Sequence, residues 1–468
     1  MLFSSMTFLF VFMPLVMAVY FLAKKEIRNY VLLIASIIFY AWGEPRYLAI
    51  MIITILVNYA GAVLLDRCRS ERKRLWFVSL TIAADLSFLF YFKYFNFVVD
   101  NINGVLATDF ALLDVVMPIG ISFYTFQAMS YLIDVYRREV PAQKDIYKLS
   151  LYIVLFPQLV AGPIVKYHDV CAQIDSRLIE FKNVIVGFKR FIVGLAKKVL
   201  IANTLAEAVD KIFAQAPENL STGYAWLGAV AYCLQLYYDF SGYSDMAIGL
   251  GLMFGFTFLE NFNYPYISKS ITEFWRRWHI SLATWFKLYL YIPLGGNRKG
   301  EVRTYLNLFT IFLVTGIWHG AAWSYVFWGI WNGIFIVFER FIGLDKDKSN
   351  RWYALLGKHI YAFFAIIFGM IIFRSENLHY AYEYICRMLH IDVTKHLPNY
   401  DYGINNKFAL MLVVGLICAM PLFRNMIYIK YERKVVRTLV NIWLFILFFW
   451  STISLAASTY NPFIYFRF

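Results

Sequence analysis

Long apolar runs divide this chain and restrict the folds that are open to it. Several of them reach the roughly 20 residues that a helix needs to cross about 30 Å of hydrocarbon. The shorter runs have the length of tilted, re-entrant or protein-buried segments. The eleven runs are residues 2–23, 30–42, 47–65, 76–99, 184–202, 224–238, 306–318, 325–337, 352–373, 408–423 and 435–456.

The composition indicates that lipid covers much of the surface. Of the 468 residues, 61% are hydrophobic and 16% are charged, whereas a soluble domain carries about 25% charged residues. In lipid only helices or a closed barrel satisfy the backbone, and continuous apolar runs differ from the alternating pattern of barrel strands. We therefore predict an all-α polytopic membrane protein with about 11–13 transmembrane or re-entrant helices. It should form one domain over residues 1–468.

The net charge of +14 does not indicate nucleic-acid binding, because Lys and Arg are spread along short loops rather than gathered in one basic domain. The first apolar run has no positive charge before it, unlike a cleavable signal peptide, and should remain as an anchor. Its basic residues come after it, at Lys24, Lys25 and Arg28. These residues and the basic segment 67–74 should face the cytoplasm, and the acidic loop 100–114 the outside. The sequence predicts a multi-pass protein of the cytoplasmic membrane.

Cysteine spacing gives no indication of a metal site. The five cysteines are widely spaced and none forms a C-x-x-C pair. Neither a disulfide framework nor a zinc site is therefore predicted.

Polar residues gather in the centre of the chain. Each costs about 2.5–3.5 kcal/mol at the middle of a membrane helix, so such residues usually face a cavity or other protein groups. In the segment 117–138, the polar side chains fit interhelical hydrogen bonding and the lining of a cavity about equally. In FPQLVAGPIV, residues 156–165, two prolines and a glycine predict a broken, re-entrant element.

Two carboxylates interrupt the apolar segment YYDFSGYSD. Asp239 and Asp245 fit a buried structural network and a functional charge about equally. The glycines at 249, 251 and 255 superficially resemble a dinucleotide-binding pattern, but no βαβ unit surrounds them. Close packing of helices through small residues is the better explanation for them.

The segment ITEFWRRWHISL combines aromatic and basic side chains. Trp275 and Trp278 alternate with Arg276 and Arg277, as expected of an amphipathic helix at a membrane interface, and His279 follows. A solvated basic face is one interpretation. The other is a surface that holds the phosphates of a cytosolic donor.

The segment TGIWHGAAW places His319 in a long apolar run, between small residues that leave room beside the ring. A lone histidine on an apolar helix is more often structural than catalytic. An ionisable group inside a membrane nevertheless indicates function, and histidine titrates nearest to neutral pH, which suits a general base. The residues alone favour a general base slightly.

Eight segments together resemble the membrane-bound O-acyltransferases. They span nearly the whole chain, and the combination is far more specific than any one of them. The resemblance is closest to the branch that acetylates extracytoplasmic polysaccharides such as alginate, and more distant to D-alanyl transfer in teichoic acid assembly. The segments are PIGISFYTFQAMSYLIDVYRRE, FPQLVAGPIVKY, YDFSGYSDMAIGLG, NFNYPYIS, ITEFWRRWHISL, YIPLGGNRKG, GIWHGAAW and PFIYF.

This resemblance implies helices around a central funnel or tunnel, with a catalytic core over residues 117–332. An acyl group, acetyl in the closer branch, is expected to pass from cytosolic acetyl-CoA or a carrier-protein thioester to an extracytoplasmic acceptor. The resemblance implies a bacterial cytoplasmic membrane, no bound cofactor and no metal. It also implies a partner, a secreted or membrane-anchored esterase-like O-acetyltransferase.

The resemblance implies His319 as the catalytic histidine and His279 at a second, more variable polar position. Many relatives have another histidine where GIWNG here places Asn332, which argues against a mechanism that needs it. The aspartates are expected to orient a ring or stabilise charge, and the arginines to bind donor phosphates. The residues with expected substrate-binding roles are Asp239, Asp245, Trp275, Arg276, Arg277, Trp278, Arg298, Trp318 and Asn332.

Two other classes of protein remain open. A transporter would also combine broken helices with internal polar clusters, but it often carries an internal repeat, and none is visible in this sequence. A non-catalytic scaffold of a polysaccharide export complex would tolerate the loss of His319 without a change in product acylation.

Overall fold

The computed structural model describes residues 1–344, 351–390, 400–423 and 434–463. Within these ranges the chain forms helices and no strand. The last three residues of the PFIYF segment lie outside them.

Twenty α-helices make up most of the described chain. They are α1 (Met13–Leu22), α2 (Arg28–Ala41), α3 (Leu48–Arg67), α4 (Glu71–Leu89), α5 (Phe95–Leu106), α6 (Ile121–Tyr136), α7 (Ile146–Val154), α8 (Phe156–Leu159), α9 (Tyr167–Asp175), α10 (Phe181–Ala196), α11 (Asn203–Phe213), α12 (Thr222–Met253), α13 (Ile271–Arg277), α14 (Ile280–Phe286), α15 (Glu301–His319), α16 (Trp323–Phe341), α17 (Trp352–Arg374), α18 (Leu378–Leu389), α19 (Asn406–Cys418) and α20 (Lys434–Ala457).

Four helical segments of the described chain are long and apolar enough to cross a membrane. They are Pro45–Arg67, Glu71–Leu106, Trp352–Arg374 and Lys434–Ala457. Two shorter apolar helices are Phe8–Leu22 and Asn406–Cys418. The apolar runs are therefore helical, and the prediction of an all-α membrane protein is confirmed. The central funnel or tunnel stays a prediction.

Packing divides the chain into two compact units. The first contains Met1–Phe191 and Ser244–Leu259, and the second contains Ile192–Tyr243 and Glu260–Phe468. Because α10 and α12 cross these boundaries, each contributes residues to both units. The single domain expected over residues 1–468 and its catalytic core at 117–332 stay predictions.

In the first unit, the segment FPQLVAGPIV forms no continuous helix. Helix α8 has only four residues, and residues 160–166 continue without helical structure although all of them are buried. Gly120, just before α6, has φ 76°, and a Cβ there would lie 2.8 Å from the carbonyl oxygen of Leu159. The break predicted from the two prolines is therefore present and is buried against protein, whereas a re-entrant course through the membrane stays a prediction.

In the second unit, α15 and α16 pack backbone against backbone. A Cβ on Gly316 would lie 2.4 Å from the carbonyl oxygen of Tyr325, and one on Gly329 would lie 2.5 Å from that of Phe312. Small residues at such crossings let helices approach closely. This approach brings the end of α15 against the beginning of α16.

Candidate active site

His319 is the last residue of α15, and 5% of its surface is exposed. Its imidazole is surrounded by three aromatic rings. The ring centroids of Trp318, Trp328 and Phe373 lie 4.9, 5.0 and 5.2 Å from that of the imidazole. Gly320 follows in extended backbone, with φ −170°, and so ends the helix. Aromatic side chains from α15, α16 and α17 therefore hold the imidazole in place.

His279 lies between α13 and α14 and is 1% exposed. It has φ 45°, a left-handed conformation that is costly for a residue with a side chain. Its Nδ1 lies 3.1 Å from Oδ1 of Asn261, which also accepts hydrogen bonds from the backbone and hydroxyl of Ser281. Because an amide oxygen only accepts hydrogen bonds, we assign the proton to Nδ1 and the lone pair to Nε2.

The ring of His279 also lies among aromatic side chains. Phe240 meets it edge-on at 4.6 Å, and Trp318 lies 6.5 Å away between ring centroids. His279 is outside the four candidate membrane spans, and burial lowers its pKa to about 3, so its imidazole is neutral at physiological pH. Trp318 thus contacts both predicted histidines, His279 and His319, and the structure brings the two into one neighbourhood.

Trp275 and Asn332 form a direct hydrogen bond. The indole Nε1 of Trp275 donates to Oδ1 of Asn332 at 3.0 Å, and Nδ2 of Asn332 donates to the carbonyl of Trp328 at 2.8 Å. Trp275 also packs against Trp328, with ring centroids 5.5 Å apart. Asn332 therefore connects α13 to the tryptophan that contacts His319.

The segment ITEFWRRWHISL is not one amphipathic surface helix, so that expectation is wrong. The left-handed backbone at His279 separates α13 from α14, each of seven residues. Trp275 and Trp278 are 7% and 5% exposed. Trp278 packs against Phe274 and Phe262, with ring centroids 5.4 and 5.1 Å apart. Both tryptophans are therefore buried in the second unit instead of lying at an exposed surface.

A cavity of about 400 Å³ lies beside α13 in the second unit. Four of its lining side chains are cationic and one is acidic. Nε of Arg277 donates to Glu273 at 2.9 Å, and its Nη1 donates to the carbonyl of Asn263 at 3.1 Å. The lining residues are Asn263, Lys269, Ser270, Thr272, Glu273, Arg276, Arg277, Leu344 and Lys358.

The electrostatics of this cavity favour an anion. Although burial opposes ionisation, hydrogen bonds from the Lys269 backbone and from Arg277 hold the pKa of Glu273 below its usual value, so the carboxylate is ionised and paired. Arg276 is exposed and lines the cavity. Arg298 lies in an exposed loop and is not among the lining residues of the described chain.

Both predicted aspartates are paired with cations. In the second unit, Asp239 lies 2.6 Å from Nζ of Lys198, and each side chain is 2% exposed. Lys198 also donates to the carbonyl of Pro462. In the first unit, Asp245 accepts from Nε and Nη2 of Arg190 at 3.0 and 2.8 Å. These contacts match a buried network, and a role in orienting a histidine stays a prediction.

Comparison with known proteins assigns the family. Residues 137–374, just over half of the chain, match the family described as membrane-bound O-acyltransferase. The chain belongs to this family. The resemblance of the eight segments is therefore confirmed, and the protein is an acyltransferase.

Relatives that align over most of the chain agree with this assignment. A probable alginate O-acetylase of Pseudomonas putida is 41% identical to the acyltransferase over 100% of both chains. A second, of Pseudomonas aeruginosa, is 46% identical over 82% of this chain and 74% of its own. A peptidoglycan O-acetyltransferase of Helicobacter pylori is 35% identical over 83% of this chain and 80% of its own.

Sequence reasoning missed three residues of the candidate site. Asn261 binds His279, and Lys269 and Lys358 line the cavity. The pattern Ser270-x-x-Glu273 has the sequence of a capping box and could have located the start of α13. The Ser270 side chain accepts from the backbone of Glu273, and the Glu273 side chain accepts from the backbone of Lys269, one residue before the N-cap. Asn261 carries no such local signal.

Proposed function

We propose that this acyltransferase takes an acetyl group from a cytosolic thioester, acetyl-CoA, and delivers it for O-acetylation of an extracytoplasmic polysaccharide. The single observation that carries the proposal is the buried His319 at the end of α15, held by three aromatic rings. The names of the relatives, alginate O-acetylase and peptidoglycan O-acetyltransferase, support a polysaccharide as the final acceptor. The proposed location is the bacterial cytoplasmic membrane.

In the proposed reaction, His319 is the general base. Its imidazole takes the proton of the acceptor hydroxyl while the oxygen attacks the thioester carbonyl carbon. The new C–O bond forms, the C–S bond breaks, and the departing thiolate takes a proton. A positioned base of this kind contributes about 10²- to 10⁴-fold to the rate. The aromatic walls exclude water, which would otherwise compete as an acceptor.

His279 has a positioning role in this proposal. Its Nδ1–H donates a hydrogen bond to Oδ1 of Asn261, which leaves Nε2 as the nitrogen that can accept a hydrogen bond. A neutral imidazole in this tautomer accepts a hydrogen bond at Nε2 and so orients a hydroxyl or another ring. It cannot donate from Nε2 to a developing oxyanion.

The spacing along α17 supports a donor with a long arm. Lys358 lines the cavity, and Phe373 on the same helix contacts the His319 ring. At 1.5 Å per residue, these two positions lie about 22 Å apart along the axis. An anionic group held at Lys358 and an acyl group at His319 would therefore need a connection of that order. A thioester on a phosphate-bearing arm, as in acetyl-CoA or a carrier protein, fits this length.

A partner protein completes the proposed pathway. The hydroxyl that reaches His319 belongs either to the polysaccharide or to an esterase-like transferase that carries the acetyl group onward. The same chemistry at His319 serves both acceptors, since each presents an oxygen nucleophile.

Purified protein in liposomes with [¹⁴C]acetyl-CoA on one side and an alginate oligosaccharide on the other tests the proposal. We expect labelled acetyl ester in the oligosaccharide, or in an added esterase-like partner, and free coenzyme A on the donor side. Flux of intact acetyl-CoA without ester formation would identify a transporter and overturn the proposal. Transfer only from a D-alanyl carrier protein would overturn the assigned donor.

Arg276→Ala tests whether the cavity beside α13, called the donor cavity from here on, binds the acyl donor. Because Arg276 is exposed and lines the cavity, we expect the KM for acetyl-CoA to rise about tenfold while kcat changes by less than about twofold. This result is expected when a contact that binds the substrate and the transition state equally well is lost. Initial rates at varied acetyl-CoA concentration measure both constants. Arg303→Ala is the matched control, because Arg303 is exposed on α15 and does not line the cavity. Equal KM values in the two variants would contradict the assignment.

A further inference from the structure

Glu339 is a fully buried acid on the apolar helix α16, with 0% of its surface exposed. Neither the motifs nor the proposed chemistry uses it. A buried carboxylate is costly unless hydrogen bonds satisfy it, so the groups that surround Glu339 indicate what it does.

Three donors surround the carboxylate. The backbone N–H groups of Ile271 and Thr272 donate to its two oxygens at 2.5 and 2.8 Å. The hydroxyl of Tyr361 on α17 donates to Oε1 at 3.1 Å. Glu339 therefore holds the first two residues of α13 and connects them to α17.

Asn332 provides a second connection between the same two helices. It lies seven residues before Glu339, two helical turns along one face of α16, and it accepts the indole N–H of Trp275. Helix α13 is thus attached to α16 at its beginning and again one turn later. Two attachments on a seven-residue helix fix both its position and its rotation.

We infer that Glu339 is a positioning residue that sets the donor cavity at a fixed distance from the catalytic histidine. Helix α13 carries Arg276 into the cavity and leads directly to His279. Helix α16 carries Trp328 against His319. Glu339 joins these two helices, so it controls where the donor's anionic end lies relative to His319. The inference rests on the proposed function.

Glu339→Gln is the direct test. The side-chain amide keeps one acceptor oxygen but turns its NH₂ towards a backbone N–H, so α13 loses one attachment at its beginning. We expect the KM for acetyl-CoA to rise by about tenfold or more, with a smaller change in kcat per folded molecule. Glu301→Gln, at an exposed acid on α15, is the matched control and should keep both constants.

A purely structural role would give a different result. Fewer folded molecules would lower the maximal rate in proportion to their number and leave the KM for acetyl-CoA unchanged, and that outcome overturns the inference. Wild-type protein that transfers no acetyl group would instead refute the proposed function. The two failures are therefore distinguishable in one set of assays.

A second variant decides the matter if Glu339→Gln does not accumulate. Ile271→Pro removes the N–H that donates to Glu339, at the first helical position, where proline is well tolerated. Ser270 before it is extended, with φ −160° and ψ 163°, which suits a residue before proline. Ile271→Ala loses the side chain but keeps the N–H. We expect a higher KM for acetyl-CoA in Ile271→Pro than in Ile271→Ala, and equal values would overturn the inference.

Discussion

Replacing His319 with alanine is expected to lower the rate of acetyl transfer by about 10³-fold at unchanged protein abundance. The reason is that the acceptor hydroxyl would lose the group that takes its proton, while the aromatic walls keep out water that could replace it. The measurement is the initial rate of labelled ester formation in proteoliposomes at saturating acetyl-CoA. His319→Gln keeps a polar side chain in the site and should be almost as impaired.

His379→Ala is the matched control for this experiment. His379 lies on α18 with a side chain that is 80% exposed, and it pairs with Glu383 one turn later. The same substitution there should leave the rate within about twofold, as is usual for surface positions. Near-normal transfer in His319→Ala would exclude His319 as the base.

Gly316→Ala is expected to cost about 3 kcal/mol or more of stability, because overpacking of a tight contact forces the backbone to move. The added Cβ would lie 2.4 Å from the Tyr325 carbonyl oxygen and 2.9 Å from Cα of Gly329. Neither atom can rotate away as the end of a flexible side chain can. The detergent-solubilised variant should therefore unfold at a clearly lower temperature and accumulate less.

Gly357→Ala is the matched control on α17. Apart from the backbone of α17 itself, no atom of the described residues lies within 4 Å of the Cβ it would add, so the variant should gain about 0.5–1 kcal/mol from the higher helix propensity of alanine. Unaltered thermal unfolding in Gly316→Ala would show that α15 and α16 can separate without cost. The close approach would then not be needed to hold His319 against Trp328.

The helical membrane fold follows directly from the sequence. Apolar runs of spanning length and scarce charge leave few alternatives, because an unpaired backbone in lipid is prohibitively expensive. The break at FPQLVAGPIV is equally local, since proline and glycine act on their own backbone. Such features need no knowledge of distant neighbours.

The site was predictable only in part. His319 and the segment around His279 stand out as motifs, but their partners are distant in sequence. Glu339 binds Ile271 from 68 residues away, and no periodicity indicates such a pairing. The surface helix expected from the alternation of Trp275–Trp278 with arginines is wrong because His279 adopts a left-handed backbone, which composition cannot show.

The buried pair of Lys198 and Asp239 has a consequence for how the protein is made. The carbonyl of Pro462 that accepts from Lys198 is separated from it by 264 positions in the chain, and the ring of Phe463 lies 5.7 Å from the ammonium. During synthesis, Lys198 and the helix α12 that carries Asp239 therefore leave the ribosome long before this part of their surroundings exists. A nascent chain that ends within α20 lacks Pro462 and Phe463, so its Lys198 ammonium lacks both of these contacts.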